Sequence, residues 1–308
     1  MPTLILAFDT NGAAKWRRNS LKSISGAMAR FILRKGPRGA EVYLAIVGAI
    51  LLAAVVTLTI LAPYIAPYNP IVEIGPALQP PSSQYLMGTD HLGRDVYSRV
   101  LYGAIVALEV CAISVTLSAS IGTFFGLFSG YSGGKTDRVF SIVMDSIYAF
   151  PGLILAIAIA AMMGPGLVNI SIAIAVVYIP TYFRMIRGQV LSTKEQLYVE
   201  AARALGAKRS TILFRYIFAN IIPSLVVVLS LNVADAILTE AGLSYLGLGI
   251  PPPTPDWGFD LSKGKSFLPG GYWWMITFPG IMIVIVVLGF SLLGEGLNEI
   301  MNPRLRER

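Results

Sequence analysis

The chain has 308 residues, 55% hydrophobic and only 13% charged, with a net charge of +7. An ordinary soluble domain carries about 25% charged residues, so a single water-soluble core is excluded as the organising unit. One cysteine, Cys111, excludes an intrachain disulfide, and one histidine, His91, excludes a multi-histidine metal site.

In chain order, residues 1–10 are apolar but lack a basic flank and a small-residue cleavage site, so no cleaved signal peptide is expected. Residues 14–35 interleave basic side chains with Trp16, Leu21, Ile24, Met28, Phe31 and Ile32 at helical spacing. That pattern predicts a helix lying along the membrane interface within an N-terminal segment 1–40, with an unstructured basic tail as the alternative. Residues 42–62 carry no charge, and roughly 20 apolar residues suffice to cross a hydrocarbon layer about 30 Å thick. A first span is therefore expected at 41–62.

Residues 63–99 form the following loop. Six prolines between 63 and 81 forbid regular helix or inner strand there and predict an ordered or extended cap. The stretch Met87-Gly88-Thr89-Asp90-His91-Leu92-Gly93-Arg94-Asp95 then offers two glycines for a turn. Asp95 and Arg99 read as an acid-first i,i+4 pair at a helix start. A structural role is favoured for Gly88, Asp90, Gly93, Arg94, Asp95 and Arg99, and catalysis by His91 is not expected.

Four further apolar regions follow: 100–134 with Glu109 as its only charge up to Gly134, 139–183 with Asp145, 216–255 with Asp235 and Glu240, and 266–294 with none. Backbone groups in lipid must bond within the segment, so these are helices. The second region is too long for one crossing, and Gly164-Pro165-Gly166 divides it by a tight turn. The total is six spans in an all-α membrane protein, with residues 100–300 as its core and 301–308 as its tail. Glu109, Asp145, Asp235 and Glu240 are candidates for a translocation pathway or for interhelical polar contacts, since ionisable groups in spans mark function. None has an obvious basic partner within a span. Trp257, Trp273 and Trp274 fall where an aromatic interface belt would lie.

Alternating sides along six spans puts every lysine and arginine except Arg94, Arg99, Lys263 and Lys265 on the side of the N-terminus. The positive-inside rule then predicts cytoplasmic N- and C-termini in a multi-pass protein of the cell (inner or plasma) membrane. The dispersal of charge over one membrane face excludes a nucleic-acid partner and leaves membrane lipid as its complement.

The largest loop on the basic side, within 188–222, contains a short helical stretch from Glu195 to Leu205 with Gly206 as a stop. Leu197, Ala201, Ala204 and Leu205 share one face, and a helix this short needs something to dock against. A surface helix held to the membrane by Arg203, Lys208 and Arg209 is the equal alternative on physics alone.

Glu200-Ala201-Ala202-Arg203-Ala204-Leu205-Gly206-Ala207, with Asn220-Ile221-Ile222-Pro223 after it, resembles the EAA loop of permease subunits of ABC importers. Residues 86–99, 241–249 with 252–258, and Leu292-Leu293-Gly294-Glu295-Gly296-Leu297 with Asn302-Pro303-Arg304-Leu305-Arg306 resemble the second permease subunit (DppC/OppC-like) of dipeptide, oligopeptide and nickel importers. The resemblance spans residues 37–306. Tyr216 replaces a usual histidine and Ala219 a usual proline, outside the Glu-Ala-Ala core.

The resemblance implies a type I (MetI-like) importer fold that supplies half of a translocation pathway for di- or oligopeptides, with nickel, glutathione or another small solute as the alternative cargo. It also implies a second homologous permease, two ATPase subunits and an extracytoplasmic binding protein, with Glu200, Ala201, Ala202, Arg203, Leu205, Gly206 and Ala207 coupling to the ATPases. No phosphate loop is present, because Gly133-Gly134-Lys135-Thr136 lacks the required earlier glycine. The chain is then expected to hold no cofactor and to catalyse nothing itself, ATP and Mg binding on the partner subunits. A proton-coupled carrier using the intramembrane carboxylates is the competing mechanism.

Overall fold

The computed structural model describes residues 40–301. The expected interfacial helix at 14–35 and the Asn302-Pro303-Arg304 motif lie outside the described residues. Nine helices organise what is described: α1 (Ala40–Ile65), α2 (Val96–Ser132), α3 (Gly134–Tyr148), α4 (Gly152–Met163), α5 (Leu167–Thr193), α6 (Leu197–Ala204), α7 (Ala219–Tyr245), α8 (Trp257–Phe267) and α9 (Trp274–Met301). A short turn at Arg209–Thr211 and a π-helical stretch, Ile212–Phe218, run continuously into α7. The described residues contain no sheet, only an isolated antiparallel bridge between Thr89 and Asp95.

Five of these elements are by themselves long and apolar enough to span a membrane, and α3 with α4, bent by 88° at a short break, reach that length only as a pair, which counts as a sixth span when taken together. The hydropathy reading treated this crossing as one run from 139 to the turn at Gly164. It is broken instead at Phe150-Pro151, where proline supplies no N–H to continue a helix and restricts the residue before it. Conversely, α1 continues through Pro63 to Ile65, three residues past the expected end, because a proline in the last turn sacrifices only one hydrogen bond. The fourth span runs to Thr193, ten residues beyond the expected boundary, and carries Arg184 and Arg187 with it.

The main seam is α2 against α5, and it closes through glycine. Gly122, Gly126 and Gly130 recur every four residues on α2 and face Tyr182, Ile186 and Val190, which recur every four residues on α5. A Cβ on these glycines would lie 2.6, 2.9 and 3.0 Å from the Cβ atoms opposite. Lipid gives helices no hydrophobic reason to associate, so close backbone approach and van der Waals packing carry the contact. Cys111 packs in the same interior, alongside Val110, Ile174 and Ile237. At 37 residues, about 55 Å of helix, α2 exceeds the hydrocarbon thickness and joins the two ends of the bundle.

Candidate functional site: a docking helix at one end, a locked cap at the other

α6 begins after Gln196, an extended residue, and ends in a Schellman motif. Ala207 N–H donates to Ala202 O and Gly206 N–H to Arg203 O, both at 3.0 Å. The geometry requires Gly206 at φ +78°, a left-handed value that a Cβ disfavours. The helix is one or two residues shorter at each end than the sequence suggests, because Gln196 is extended and Leu205 is already the cap. Glu200 in the first turn and Arg203 in the last both suit the helix dipole.

One face of α6 is buried against its own chain: Val199 packs with Ile186 and Val190 of α5, Ile212 and Ile217 of the π-helical stretch and Ile221 of α7, and Ala202 is buried as well. The other face is bare. Leu197 is 82% and Leu205 89% exposed, and Glu200, Ala201, Arg203 and Ala204 lie on the surface with them. Asn220 donates through Nδ2 to Tyr198 Oη at 3.1 Å and to Tyr216 O at 2.6 Å, tying α6 to the root of α7. The Asn220 motif was visible in the sequence; its partner Tyr198 was not. This end of the bundle thus presents a rigidly seated helix outside the spans, with two uncovered leucines.

At the opposite end, residues 66–95 fold back over the bundle. Asp90 accepts from Leu92 N–H (2.8 Å), Arg94 N–H (2.9 Å) and Arg94 Nε (2.6 Å). Gly93, at φ +75°, lies so close to Gly75 O that a side chain has no room. Gly88, at φ +77°, sits under the Trp274 indole. Asp95 caps α2, accepting from Ser98 N–H and Oγ. The expected Asp95–Arg99 side-chain pair is not formed. Arg99 turns instead to Asp260 on α8, 161 residues away, with Nη2 2.6 Å from Oδ1 and Nε 3.1 Å from Oδ2. The cap on Ser98 uses only Asp95 Oδ2 and leaves Oδ1 buried without a hydrogen bond, while the fork geometry of Arg99 fits the Asp260 carboxylate edge-on.

The tryptophans also depart from the interface-belt expectation. Trp257 is 1% exposed and donates to Val100 O at 2.9 Å, while buried Trp274 donates to Thr89 O at 3.1 Å. Only Trp273 of the three is exposed. Both buried indoles have found carbonyl acceptors in this cap, so they anchor it internally. His91 stacks on Phe267, and burial lowers its pKa below the ordinary histidine value despite the neighbouring Asp90. Among the described residues no group of three histidine, cysteine, aspartate or glutamate side chains could hold a metal ion.

The four intramembrane carboxylates are not brought together. Asp145 does have a basic partner, contrary to the sequence reading: Arg184 Nη2 lies 2.6 Å from Asp145 Oδ1, and its guanidinium rests 4.0 Å from the Tyr148 ring centre. The apolar region 139–183 stops one residue short of Arg184, whereas the helix itself runs on to Thr193 and carries Arg184 alongside Asp145. Glu240 is buried with Ser244 Oγ at 3.1 Å, and Ser244 Oγ lies 2.8 Å from Asp256 Oδ2. The Ser244 hydroxyl lies between the two carboxyls and can donate its one proton to only one of them at a time, an arrangement that ties α7 to the start of α8. Glu109 and Asp235 are exposed on the helix surfaces and form no ion pair among the described residues.

Comparison with known proteins adds the missing context. A family model described as binding-protein-dependent transport system inner membrane component matches residues 122–307. The dipeptide transport system permease protein DppC of Alkalihalophilus pseudofirmus is 39% identical over 265 residues, covering 85% of this chain and 86% of the relative. The glutathione transport system permease protein GsiD of Pectobacterium atrosepticum is 38% identical over 266 residues, covering 86% and 88%. The di/tripeptide transport system permease protein DppC of Pseudomonas aeruginosa is 37% identical over 266 residues, covering 84% and 88%.

Proposed function

This chain belongs to the family of binding-protein-dependent transport system inner membrane components, the multi-pass permeases of ABC importers, and on that premise we propose that it admits short peptides. Peptide cargo is supported by the dipeptide and di/tripeptide transport systems to which two relatives belong by name. Glutathione, itself a tripeptide, is the second reading, supported by the 38% identical relative.

In this reading the chain forms half of a pathway, the rest coming from a similar permease. An extracytoplasmic binding protein delivers cargo to the cap, and ATPase subunits that bind ATP and Mg lie at the α6 end. The observation that carries the coupling role is the bare apolar face of α6, Leu197 to Leu205, on a helix seated outside the spans. Exposed leucines on a short, firmly docked helix suit a partner's groove. The N- and C-termini are then cytoplasmic, on the same side as α6, in keeping with the lysine and arginine bias.

Mechanically, α6 is joined to α5 by a loop of three residues and, through the turn at 205–208, to the helical stretch that begins at Arg209 and runs on into α7. Val199, Ala202 and the Asn220–Tyr198 bond leave it little freedom to move alone. A push on α6 from an ATPase subunit is therefore passed to α5 and α7 as a rigid-body displacement. The chain needs no chemistry of its own for this step.

The test is the complete importer in proteoliposomes, supplied with ATP inside and dialanine with binding protein outside. Leu205→Asp should leave the protein inserted and abolish ATP-driven uptake, while ATP hydrolysis ceases to respond to loaded binding protein. Undiminished coupling would refute the role of α6. Uptake driven by a proton gradient without the ATPases would refute the importer mechanism for this chain.

A further inference from the structure

A cavity of about 810 Å³ opens beside α6, between the end of α2 and the π-helical stretch that leads into α7. Three cations line it: Lys194 at the C-cap of α5, Arg203 of α6 and Arg209 at the start of the stretch. No acidic side chain is among the lining residues. Arg203 and Arg209 are exposed and form no ion pair among the described residues. Lys194 Nζ donates to the Gly130 carbonyl at 3.2 Å, and the nearby Asp137 is already committed to Arg187 by two hydrogen bonds of 2.6 Å.

Most of the remaining lining is apolar. Phe128, one turn before the end of α2, is 48% exposed, and Phe214 of the π-helical stretch is 60% exposed. Phe128 belongs to a helix apolar enough to span a membrane and Arg203 to one outside the spans, so the cavity straddles the boundary between hydrocarbon and water. Aromatic rings at that boundary face lipid, and basic pockets between helix ends there attract anionic headgroups. π-Helical turns also recur at functional sites.

The cavity is distinct from the face of α6 that suits an ATPase subunit. At about 100° per residue, Arg203 stands roughly 130° around the helix from the face shared by Leu197, Ala201 and Ala204. None of those three, nor Glu200 or Leu205, lines the cavity. We propose that the cavity holds one anionic phospholipid of the leaflet on the α6 side, its phosphate among Lys194, Arg203 and Arg209 and its acyl chains along Phe128 and Phe214. The three cations come from the end of α5, from α6 and from the root of α7, so the bound phosphate joins the elements that carry motion away from α6. The site depends on the membrane topology and not on the cargo.

The complete importer, stripped of lipid in detergent and offered equal amounts of phosphatidylglycerol and phosphatidylcholine, tests this by native mass spectrometry. The parent should retain phosphatidylglycerol in preference. Lys194→Gln with Arg203→Gln and Arg209→Gln should weaken that retention at least about tenfold, a conservative figure for three basic side chains at an anionic lipid. Lys135→Gln with Arg138→Gln and Arg215→Gln removes the same charge from exposed positions outside the cavity, and should retain phosphatidylglycerol as the parent does. Arg209→Gln alone should give an intermediate loss, which decides the matter if the first triple variant does not assemble. Inorganic phosphate in large excess should leave the lipid in place, because the acyl chains hold it too. Displacement by inorganic phosphate reduces the cavity to a site for a free anion and overturns the lipid. Equal retention of the two lipids by the parent, which an ATPase subunit covering the cavity would also produce, overturns it as well, and so do losses that are the same in the two triple variants.

Discussion

Arg99 gives the sharpest test of what holds the cap to the bundle. It is 1% exposed, grips Asp260 through Nη2 and Nε, and sends Nη1 to the carbonyls of Pro70 (3.1 Å) and Pro253 (3.2 Å). Arg99→Met keeps most of the volume but leaves Asp260 buried as an unpaired carboxylate, with Asp90 and Asp256 close by. Breaking a buried pair from one side costs about 3–5 kcal/mol, a large part of a total stability of about 5–15 kcal/mol. The double variant Arg99→Met with Asp260→Leu removes both charges and leaves only two carbonyls to be satisfied, so about 1–2 kcal/mol should remain.

The pH dependence has a definite sign. Burial raises the Asp260 carboxyl above its ordinary range even with Arg99 beside it, and loss of Arg99 raises it further. The folded single variant then holds a proton that the unfolded chain has released above its ordinary value of about 3.9. Its stability therefore falls as pH rises through the raised value, so the penalty is larger at pH 8 than at pH 5. Thermal unfolding of the detergent-solubilised protein, followed by tryptophan fluorescence, measures this at both pH values. Equal stability of the single and double variants at pH 8 would refute the reasoning.

Gly122→Ala should destabilise by about 1–2 kcal/mol, the overpacking cost exceeding the gain in helix propensity, because its Cβ meets Tyr182 Cβ at 2.6 Å and Ile179 O at 2.7 Å. Gly188→Ala on α5, which meets nothing within 4 Å, is the matched control and should be neutral or stabilising in the same melt. Gly206→Ala should cost about 1–2 kcal/mol of local stability by straining the φ +78° cap, read as faster hydrogen exchange in α6 with α2 and α5 unchanged. Asp256→Ala removes the α8 cap on Phe259 N–H and a partner of Ser244, and should lower stability by about 2–3 kcal/mol in thermal unfolding. Cys111 should resist N-ethylmaleimide in the folded protein and react fully in dodecyl sulfate, as its burial requires.

The sequence alone determined the crossings, because about 20 consecutive apolar residues cannot be housed elsewhere and the period of a helix is local. It also determined the turn at Gly164-Pro165-Gly166 and which residues of α6 face outward, since Leu197, Ala201, Ala204 and Leu205 share a helical face before any tertiary contact is made. The α3–α4 break was written there too, in Pro151, but a hydropathy window averages over a single proline. The glycine repeat on α2 was equally legible, and went unread because it shows no change in hydrophobicity.

Only the tertiary structure decided the partners. Arg99 reaches Asp260 and not the nearby Asp95; Arg184 reaches Asp145 across two helices; Trp257 and Trp274 turn inward to carbonyls. Each choice joins residues far apart in the chain, and sequence spacing constrains only neighbours within about one helical turn.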